Sequence, residues 1–253
     1  MNIVVCAKQV PAADNIFQIS EGRDRVVDKG QTFLMNECDE YAVEEAIVLK
    51  QKYGGKVTVV TAGGLRSQEL LYTAFAKGTD ECIRIDTDSE DSETATKLLT
   101  SFLKKIDFDL ILTGVESADS MSAMTGVCIA EELGLPHTMF VTKIDVEEGG
   151  RLKVERELKG GLREVMRIPL PALLCIQSGI APLRYTPHLK LLQARQRPVK
   201  TFTPSELEVT SQERKLRVVE LYFPESKKQV EILHGDPRTV ARNLLDRLRT
   251  VLA

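Results

Sequence analysis

Short apolar segments alternate with amphipathic helical segments through the first half of the chain, and this alternation constrains the fold more than any other feature. Parallel strands need a long crossover connection, usually a helix, and strands covered by helices on both faces are apolar along their whole length. The sequence therefore predicts an α/β protein with a mostly parallel, doubly wound sheet. The predicted strands are Asn2–Ala7, Val57–Ala62, Cys82–Asp86 and Asp109–Gly114.

Three helices are predicted between these strands. The first has Asn36 as its N-cap residue, acidic residues in its first turn and lysines in its last, and it ends before Gly54. Helical spacing gives each helix one apolar face that would pack on the sheet. These faces consist of Ala42, Ala46, Leu49 and Tyr53 in the first helix, Leu70, Ala74 and Phe75 in the second, and Ala95, Leu98, Leu99, Phe102, Leu103 and Ile106 in the third.

The pattern changes after Pro136, where strand-like periodicity replaces the helical repeat from Met139 to Gln177. We interpret this stretch as an antiparallel addition that includes a hairpin and ends in the apolar run PALLCI. The chain finishes with a helix capped by Asp236-Pro237, and its apolar stripe is Val240, Leu244, Leu248 and Leu252. We expect a main domain over residues 1–200, with the hairpin at 151–168, and a C-terminal helical arm over 201–253 that packs on a partner subunit or back on the core.

The hairpin places its charges unusually. Arg156 lies on a strand face between apolar residues, and a guanidinium with such neighbours must find a counter-charge, a ligand or a partner chain. In the simplest two-residue register around Gly160-Gly161, Glu157 would lie opposite Glu164, which is unfavourable unless a cation or a longer turn intervenes. A solvated hairpin of mixed charge is the ordinary alternative.

The overall composition argues against several classes of function. The formal net charge of -3 gives no electrostatic reason to bind nucleic acid or anionic lipid. The 5 cysteines lie far apart without metal-binding spacing, so we expect reduced thiols and no metal site. No signal peptide pattern follows Met1 and no apolar run approaches the ~20 residues of a membrane span. We therefore expect a soluble, cytoplasmic protein, or one in an equivalent reducing compartment, without membrane insertion.

Residues 114–126 form the main candidate ligand site, because ligands of open parallel sheets bind at the carboxyl ends of the strands. This connection offers the hydroxyl groups of Ser120, Ser122 and Thr125, close backbone approach at Gly126, and the free N–H groups of the helix that follows, which suit a phosphate. Asp119 could hold a ribose hydroxyl or cap the helix. The same residues could serve capping alone, and neither GxGxxG nor a Walker A sequence is present.

Two further features bear on function. The three histidines are not paired with a Ser or Cys nucleophile at recognisable spacing, so hydrolytic catalysis is not expected. Residues 178–205 contain cations but no carboxylate, which in an acidic chain favours a docking surface for an acidic partner over a solvated helix.

The chain resembles the β subunit of electron transfer flavoprotein over essentially its full length. The segments that carry the resemblance are VVCAKQVP at 4–11, MNECDEYAVEEAIVLK at 35–50, VERELKGGL at 154–162, PLPAL at 169–173 and RYTPHLKLLQARQRPVK at 184–200. The resemblance implies an adenine-nucleotide-binding, Rossmann-like fold and a subunit that performs no bond chemistry alone.

The resemblance also implies cofactors and partners. An α subunit would hold most of the FAD, and the heterodimer would carry electrons from dehydrogenases, typically acyl-CoA dehydrogenases, toward a membrane quinone reductase, with a location in the cytoplasm or mitochondrial matrix. In this family the β subunit commonly buries an AMP. By position, the implied nucleotide contacts are Cys6, Asn36, Glu37, Cys38, Asp39, Ala62, Gly114, Asp119, Ser120, Ser122, Ala123, Met124 and Thr125.

Interface residues follow from the same resemblance. Arg156 and Glu157 match an Arg-Glu signature near the subunit interface, where an inter-subunit salt bridge or a flavin-side contact would satisfy the guanidinium. Residues 182–200 match the recognition loop and the basic segment after it. Within this loop the implied contacts to a dehydrogenase are Arg184, Tyr185, His188 and Leu189.

The chain departs from the family pattern at two places. Ala123-Met124 stands where the family often has Asn-Gln, which removes two polar contacts to the nucleotide. His188 stands where the recognition loop usually offers a leucine anchor, with Leu189 next to it, and this change suggests a different dehydrogenase.

Two other functions remain open at the level of the sequence. One is the β subunit of an electron-bifurcating complex, in which a second FAD replaces AMP and NADH is oxidised. The other is a free-standing adenine-nucleotide-binding protein without flavin. Counting flavins per heterodimer separates the first of these from a simple electron carrier.

Overall fold

The computed structural model describes residues 1–88, 91–209, 218–224 and 230–252, without the side chains of 250–252. Its strands are β1 (Asn2–Cys6), β2 (Gln9–Pro11), β3 (Phe33–Met35), β4 (Lys56–Ala62), β5 (Glu81–Ile85), β6 (Leu110–Gly114), β7 (His137–Glu147), β8 (Arg151–Glu157), β9 (Arg163–Pro169), β10 (Ala172–Ile176) and β11 (Lys200–Phe202). Its helices are α1 (Glu37–Tyr53), α2 (Gln68–Lys77), α3 (Ser92–Leu103), α4 (Thr125–Leu133), α5 (His188–Ala194) and α6 (Pro237–Leu252).

Within the described residues, nine strands form one sheet in the order β11-β5-β4-β1-β6-β10-β7-β8-β9, and β2 pairs with β3 separately. All neighbours from β11 to β7 are parallel, whereas β7, β8 and β9 are antiparallel. One core cluster joins the sheet to α1, α2 and α5, and a second joins it to α3 and α4. The predicted doubly wound α/β sheet with an antiparallel addition is therefore confirmed.

The four predicted strands of the first half are confirmed to within one residue at each end. The prediction for PALLCI is wrong in its direction, because β10 lies inside the sheet, parallel to both β6 and β7. Every residue of β10 is buried. A strand covered on both faces shows no polar alternation, and this continuous apolar pattern is typical of a parallel strand.

The predicted hairpin exists, but its register is not the simplest one. A three-residue turn at Lys159–Gly161 joins β8 to β9, which shifts the pairing by one residue. Arg156 is then opposite Glu164, and Glu157 is opposite Arg163. The longer turn that the sequence left open therefore replaces the pairing of two glutamates with two pairs of opposite charge.

The apolar faces of α1, α2 and α3 are largely confirmed as core. Tyr53 is an exception in α1, because it is 37% exposed at the last residue of the helix, where Gly54 ends it. Ala95 and Ile106 in the predicted third face are only partly buried, and Ile106 lies in the turn after α3.

The chain divides into two compact units. The first comprises Met1–Phe17 with Asp28–Lys215, and the second comprises Gln18–Val27 with Leu216–Ala253. In the second unit, α6 begins at the predicted cap, since the Asp236 carboxylate accepts the backbone N–H groups of residues 238 and 239 at 2.9 and 3.2 Å. Leu244 and Leu248 of its stripe are about half exposed, and the side chain of Leu252 lies outside the described part. The functional division into 1–200 and 201–253 stays a prediction.

Candidate functional site

The candidate site lies where the sheet changes its winding direction. From β1 the chain passes through α1 to β4 and then to β5 on one side, and it later returns to place β6 on the other side of β1. The crevice between the carboxyl ends of β1 and β6 is therefore the switch point, the place where open α/β sheets bind their ligands. The first turn of α1 and the loop after β6 both border this crevice.

Asp39 joins the two strands at the switch point. Its carboxylate accepts the backbone N–H of Lys8, just after β1, at 2.8 Å and that of Gly114, at the end of β6, at 2.7 Å. The residue is only 6% exposed. Burial raises the pKa of Asp39 to about 6, although these hydrogen bonds and the Lys8 charge act in the opposite direction.

Asn36 holds the loop through its side chain. It is the N-cap residue of α1, as predicted, but its side chain makes no capping hydrogen bond to the helix. Its side chain instead donates to Glu116 O at 2.8 Å and accepts from Ala118 N at 3.1 Å. Asn36 is 2% exposed, and both the NH2 group and the C=O group of its side chain are hydrogen-bonded to the loop. These two bonds fix the start of the loop beside the first turn of α1.

Lys8 and Asp119 form an ion pair above the crevice, with 2.6 Å between Nζ and Oδ2. Burial alone would raise the pKa of Asp119, but hydrogen bonds from Lys8 and Ser117 and the Lys8 charge lower it overall. Asp119 is thus a charged group tied to the end of β1. Sequence reasoning missed Lys8, and its position directly after a buried strand is the signal that could have found it.

The hydroxyl groups of the loop contact one another. Ser117 and Ser120 lie 2.9 Å apart between their Oγ atoms, and Ser122 lies 3.2 Å from Ser92 of α3. Met121 and Ala123 have φ values of 49° and 51°, in the left-handed region that non-glycine residues rarely adopt. Strained backbone of this kind is concentrated at functional sites, where the surrounding structure holds it in place.

Helix α4 starts at the end of this loop without a side-chain cap, because Met124 in the N-cap position makes no such hydrogen bond. The first N–H groups of a helix have no intrahelical acceptor, so those at Thr125–Val127 can bind an anion. Close approach was expected between a ligand and the backbone of Gly126, but in the structure it is other protein atoms that approach this residue. A Cβ there would lie 2.6 Å from Cys175 Sγ and 2.6 Å from Thr113 Oγ1, so glycine lets α4 pack on the strands.

The remaining predicted contacts lie around the same edge. Cys6 is the buried last residue of β1, Cys38 is half buried in the first turn of α1 and exposed Glu37 precedes it, while Ala62 ends β4. Burial, with the nearby Asp39 charge, raises the pKa of both thiols. Both are therefore neutral at physiological pH. The structure thus brings the α1 turn, Cys6 and the loop together at the crevice, while ligand contact by these residues stays a prediction.

Arg156 finds its counter-charge within the chain. Its Nε and Nη2 lie 2.8 and 2.7 Å from Glu164 Oε2, and its Nη1 donates to Thr138 Oγ1 at 3.2 Å. The guanidinium therefore does not require a partner chain for its neutralisation. The prediction that Arg156 and Glu157 lie at a subunit interface stays untested by these contacts.

The predicted recognition loop contains α5 and a run of exposed side chains. Tyr185 is 87% exposed and Leu189 is 66% exposed, while His188 is the first residue of α5. Arg184 differs from these residues, because its guanidinium is bound to Glu44 of α1, with 2.7 Å between Nη2 and Oε1. Most of the basic stretch is likewise paired within the chain, since Arg195 binds Glu69 and Lys200 binds Glu81.

The two hydrogen bonds by which Asp39 joins Lys8 to Gly114 form a clamp at the switch point. Together with the sheet order and the helices on both faces, this arrangement defines a Rossmann-like α/β protein. The family model described as Electron transfer flavoprotein domain matches residues 25–207. Electron transfer flavoprotein subunit beta of Bacillus subtilis (strain 168) is 31% identical in an alignment of 256 positions, gaps included, which covers 99% of this chain and 98% of that protein. The chain belongs to the electron transfer flavoprotein family, among its β subunits.

Other relatives agree with this assignment. Electron transfer flavoprotein subunit beta of Thermoanaerobacterium thermosaccharolyticum is 32% identical and covers 99% of this chain and 98% of its own length. The human protein of the same name is 31% identical in an alignment of 215 positions, which covers 83% of this chain and 84% of the human protein. Among the described residues, no helix is long and apolar enough to span a membrane and no group of metal-binding side chains is present.

Proposed function

We propose that this chain is the β subunit of a heterodimeric electron transfer flavoprotein. With an α subunit it holds FAD and passes electrons from a dehydrogenase of the acyl-CoA type to a downstream acceptor such as a quinone reductase, in the cytoplasm or an equivalent compartment. FAD supplies the electron transfer when bound. The residues of this chain help to bind, orient and enclose the FAD, and none of them is catalytic.

The switch-point crevice is proposed as the site of an AMP. The observation that carries this proposal is the uncapped start of α4 at the end of the loop after β6, because the first N–H groups of this helix have no intrahelical acceptor and an anion would satisfy them. Lys8 adds a cation beside the loop, although Asp119 already neutralises part of its charge. The residues therefore fit a phosphate held mainly by backbone groups.

The departures at Ala123 and Met124 are consistent with this backbone-only site. Neither side chain has a hydrogen-bond donor, and Met124 is 54% exposed. Nucleotide binding here would depend on loop geometry, which Asn36 fixes through two hydrogen bonds to the loop backbone. The adenylate half of a second FAD could use the same groups, so the geometry is compatible with both nucleotides.

The partner surfaces are assigned in the same proposal. The exposed side of the β8–β9 hairpin, near Arg156 and Glu157, faces the α subunit or the flavin side. The segment with Tyr185, His188 and Leu189 contacts the dehydrogenase, with Leu189 as the apolar contact in place of the usual anchor. We assign no role in binding nucleic acid.

The test is to co-express the chain with its α subunit, purify the complex, denature it and identify the released nucleotides. One FAD and one AMP per heterodimer support the proposal, and two FAD molecules indicate the bifurcating alternative. A stable homo-oligomer that binds adenine nucleotide without flavin indicates the free-standing alternative. A heterodimer that releases FAD but no AMP or second FAD contradicts the crevice as a nucleotide site.

A further inference from the structure

The exposed recognition segment begins at an ion pair between the partly buried Arg184 and a buried carboxylate. Arg184 Nε lies 2.8 and 3.0 Å from the two carboxylate oxygens of Glu44, and the Arg184 backbone N–H also reaches Glu44 at 3.2 Å. Glu44 is 2% exposed, in the middle of α1. A carboxylate so placed needs a cation and hydrogen bonds together, and Arg184 supplies both.

The other end of the segment is fixed by Arg197. Its guanidinium donates to Thr79 O at 3.1 Å and to Asp80 O at 2.7 Å, and it lies 3.8 Å from the centre of the Phe75 ring. Arg184 reaches the same region, because it donates to the carbonyl of Lys77, the last residue of α2, at 3.2 Å. The two ends of the segment 184–197 are therefore bound to the end of α2 and to the turn that follows it.

Between these two arginines, α5 has a buried side and an exposed side. Ala194 is 3% exposed and Leu191 packs on the same core cluster. On the other side, Leu189 and Leu192 are 66% and 44% exposed, and Tyr185, which precedes the helix, is 87% exposed. A seven-residue helix has little stability of its own. The helical conformation of α5 must therefore be stabilised by the contacts of Arg184 and Arg197 and by the packing of its buried side.

We propose that Glu44 is a positioning residue for electron transfer. It orders the recognition segment through Arg184 before the dehydrogenase arrives, so that the exposed side of α5 forms a prearranged contact surface. This inference rests on the proposed function, since it assumes that the segment contacts a dehydrogenase. Binding to a prearranged loop does not incur the entropy of ordering it, which raises affinity without changing the chemistry.

The test compares the heterodimer with its Glu44→Gln variant, which keeps the shape of the side chain and removes its charge. Hydrogen exchange of the backbone amides in 185–196 should become at least about tenfold faster, because the tether of Arg184 is lost. The probe for function is the acyl-CoA dehydrogenase that reduces the wild-type heterodimer. The KM of that dehydrogenase for the variant heterodimer should rise about tenfold, while kcat and FAD content stay within about twofold.

Two further variants separate positioning from a general structural role. Glu69→Gln breaks the exposed pair with Arg195 on the same segment, and both readouts should change by less than about twofold. The double variant Glu44→Gln with Arg184→Gln should raise KM by less than the product of the increases in the two single variants, because both side chains take part in the same ion pair.

Several results of these measurements would contradict the proposed role of Glu44. Unchanged exchange in Glu44→Gln overturns it, and so does faster exchange with an unchanged KM. A lower kcat together with lost FAD also overturns it, since Glu44 would then support the whole complex. If no dehydrogenase reduces the wild-type heterodimer, the proposed function fails and with it the role in electron transfer, whereas the exchange measurement still decides whether Glu44 orders the segment.

Discussion

Helix α1 buries carboxylates in two regions, and they are satisfied in different ways. At its start, Asp39 accepts two backbone N–H groups from the ends of β1 and β6. Near its middle, Glu44 binds the Arg184 side chain. Burial and the charges of Asp145 and Glu44 raise the pKa of the neighbouring Glu45, and the Lys52 charge acts in the opposite direction. The N–H groups that bind Asp39 belong to the backbone at the strand ends, so this clamp fixes the geometry of a ligand site. The group that binds Glu44 is the guanidinium of Arg184, so this interaction can hold a surface segment in place.

The largest effect is expected from removing the clamp with Asp39→Ala. Two partly buried N–H groups would lose their acceptor, at about 1–3 kcal/mol each, partly offset by the removal of a buried charge. We expect the free energy of unfolding to fall by roughly 2–4 kcal/mol and the bound nucleotide to be lost. Urea unfolding and nucleotide analysis of the purified heterodimer would measure both.

Asp109→Ala is the matched control for this change. Asp109 also accepts a backbone N–H, from Asn2 at 2.6 Å, but at the opposite edge of the sheet. We expect a smaller loss of stability, about 0.5–1.5 kcal/mol, with unchanged nucleotide content. If the Asp39 variant kept both its nucleotide and its stability, the clamp would have no part in the site.

A smaller effect is expected from Gly114→Ala, which tests how closely α1 must approach β6. A Cβ at Gly114 would lie 2.4 Å from Asp39 Oδ1 and 2.8 Å from Cys38 Cβ, so the clamp would have to move. We expect a loss of about 1–3 kcal/mol in urea unfolding. Gly64→Ala is the control, because its Cβ would meet nothing closer than 3.7 Å, and a loss as large as that of Gly114→Ala would remove the steric explanation.

The sequence predicted those features that local patterns determine and missed those that depend on distant partners. Strands such as β1 and β6 were found because a buried strand is an uninterrupted apolar run. The loop contacts of Asn36 were missed because its partners lie 80 and 82 residues away. Arg184 was predicted as a surface cation because Glu44, 140 residues earlier, cannot be paired with it from spacing. The register of the hairpin depended on a turn length that Gly160-Gly161 alone does not determine.

The smallest effect is expected at Glu45, and it depends on pH. Burial, followed by the charges of Asp145 and Glu44, raises the pKa of Glu45 from 4.5 to about 7. The folded state then holds this proton more tightly than the unfolded state, so the penalty of the charged form is complete above pH 7 and disappears as the pH falls toward 4.5. Glu45→Gln should therefore stabilise the protein by about 1–2 kcal/mol at pH 8 and by much less at pH 5 in urea unfolding.

The control is Glu132→Gln, on the exposed side of α4, which should change stability by less than about 0.5 kcal/mol at either pH. An equal gain from Glu45→Gln at both pH values would mean that its burial, and not its charge, sets the effect.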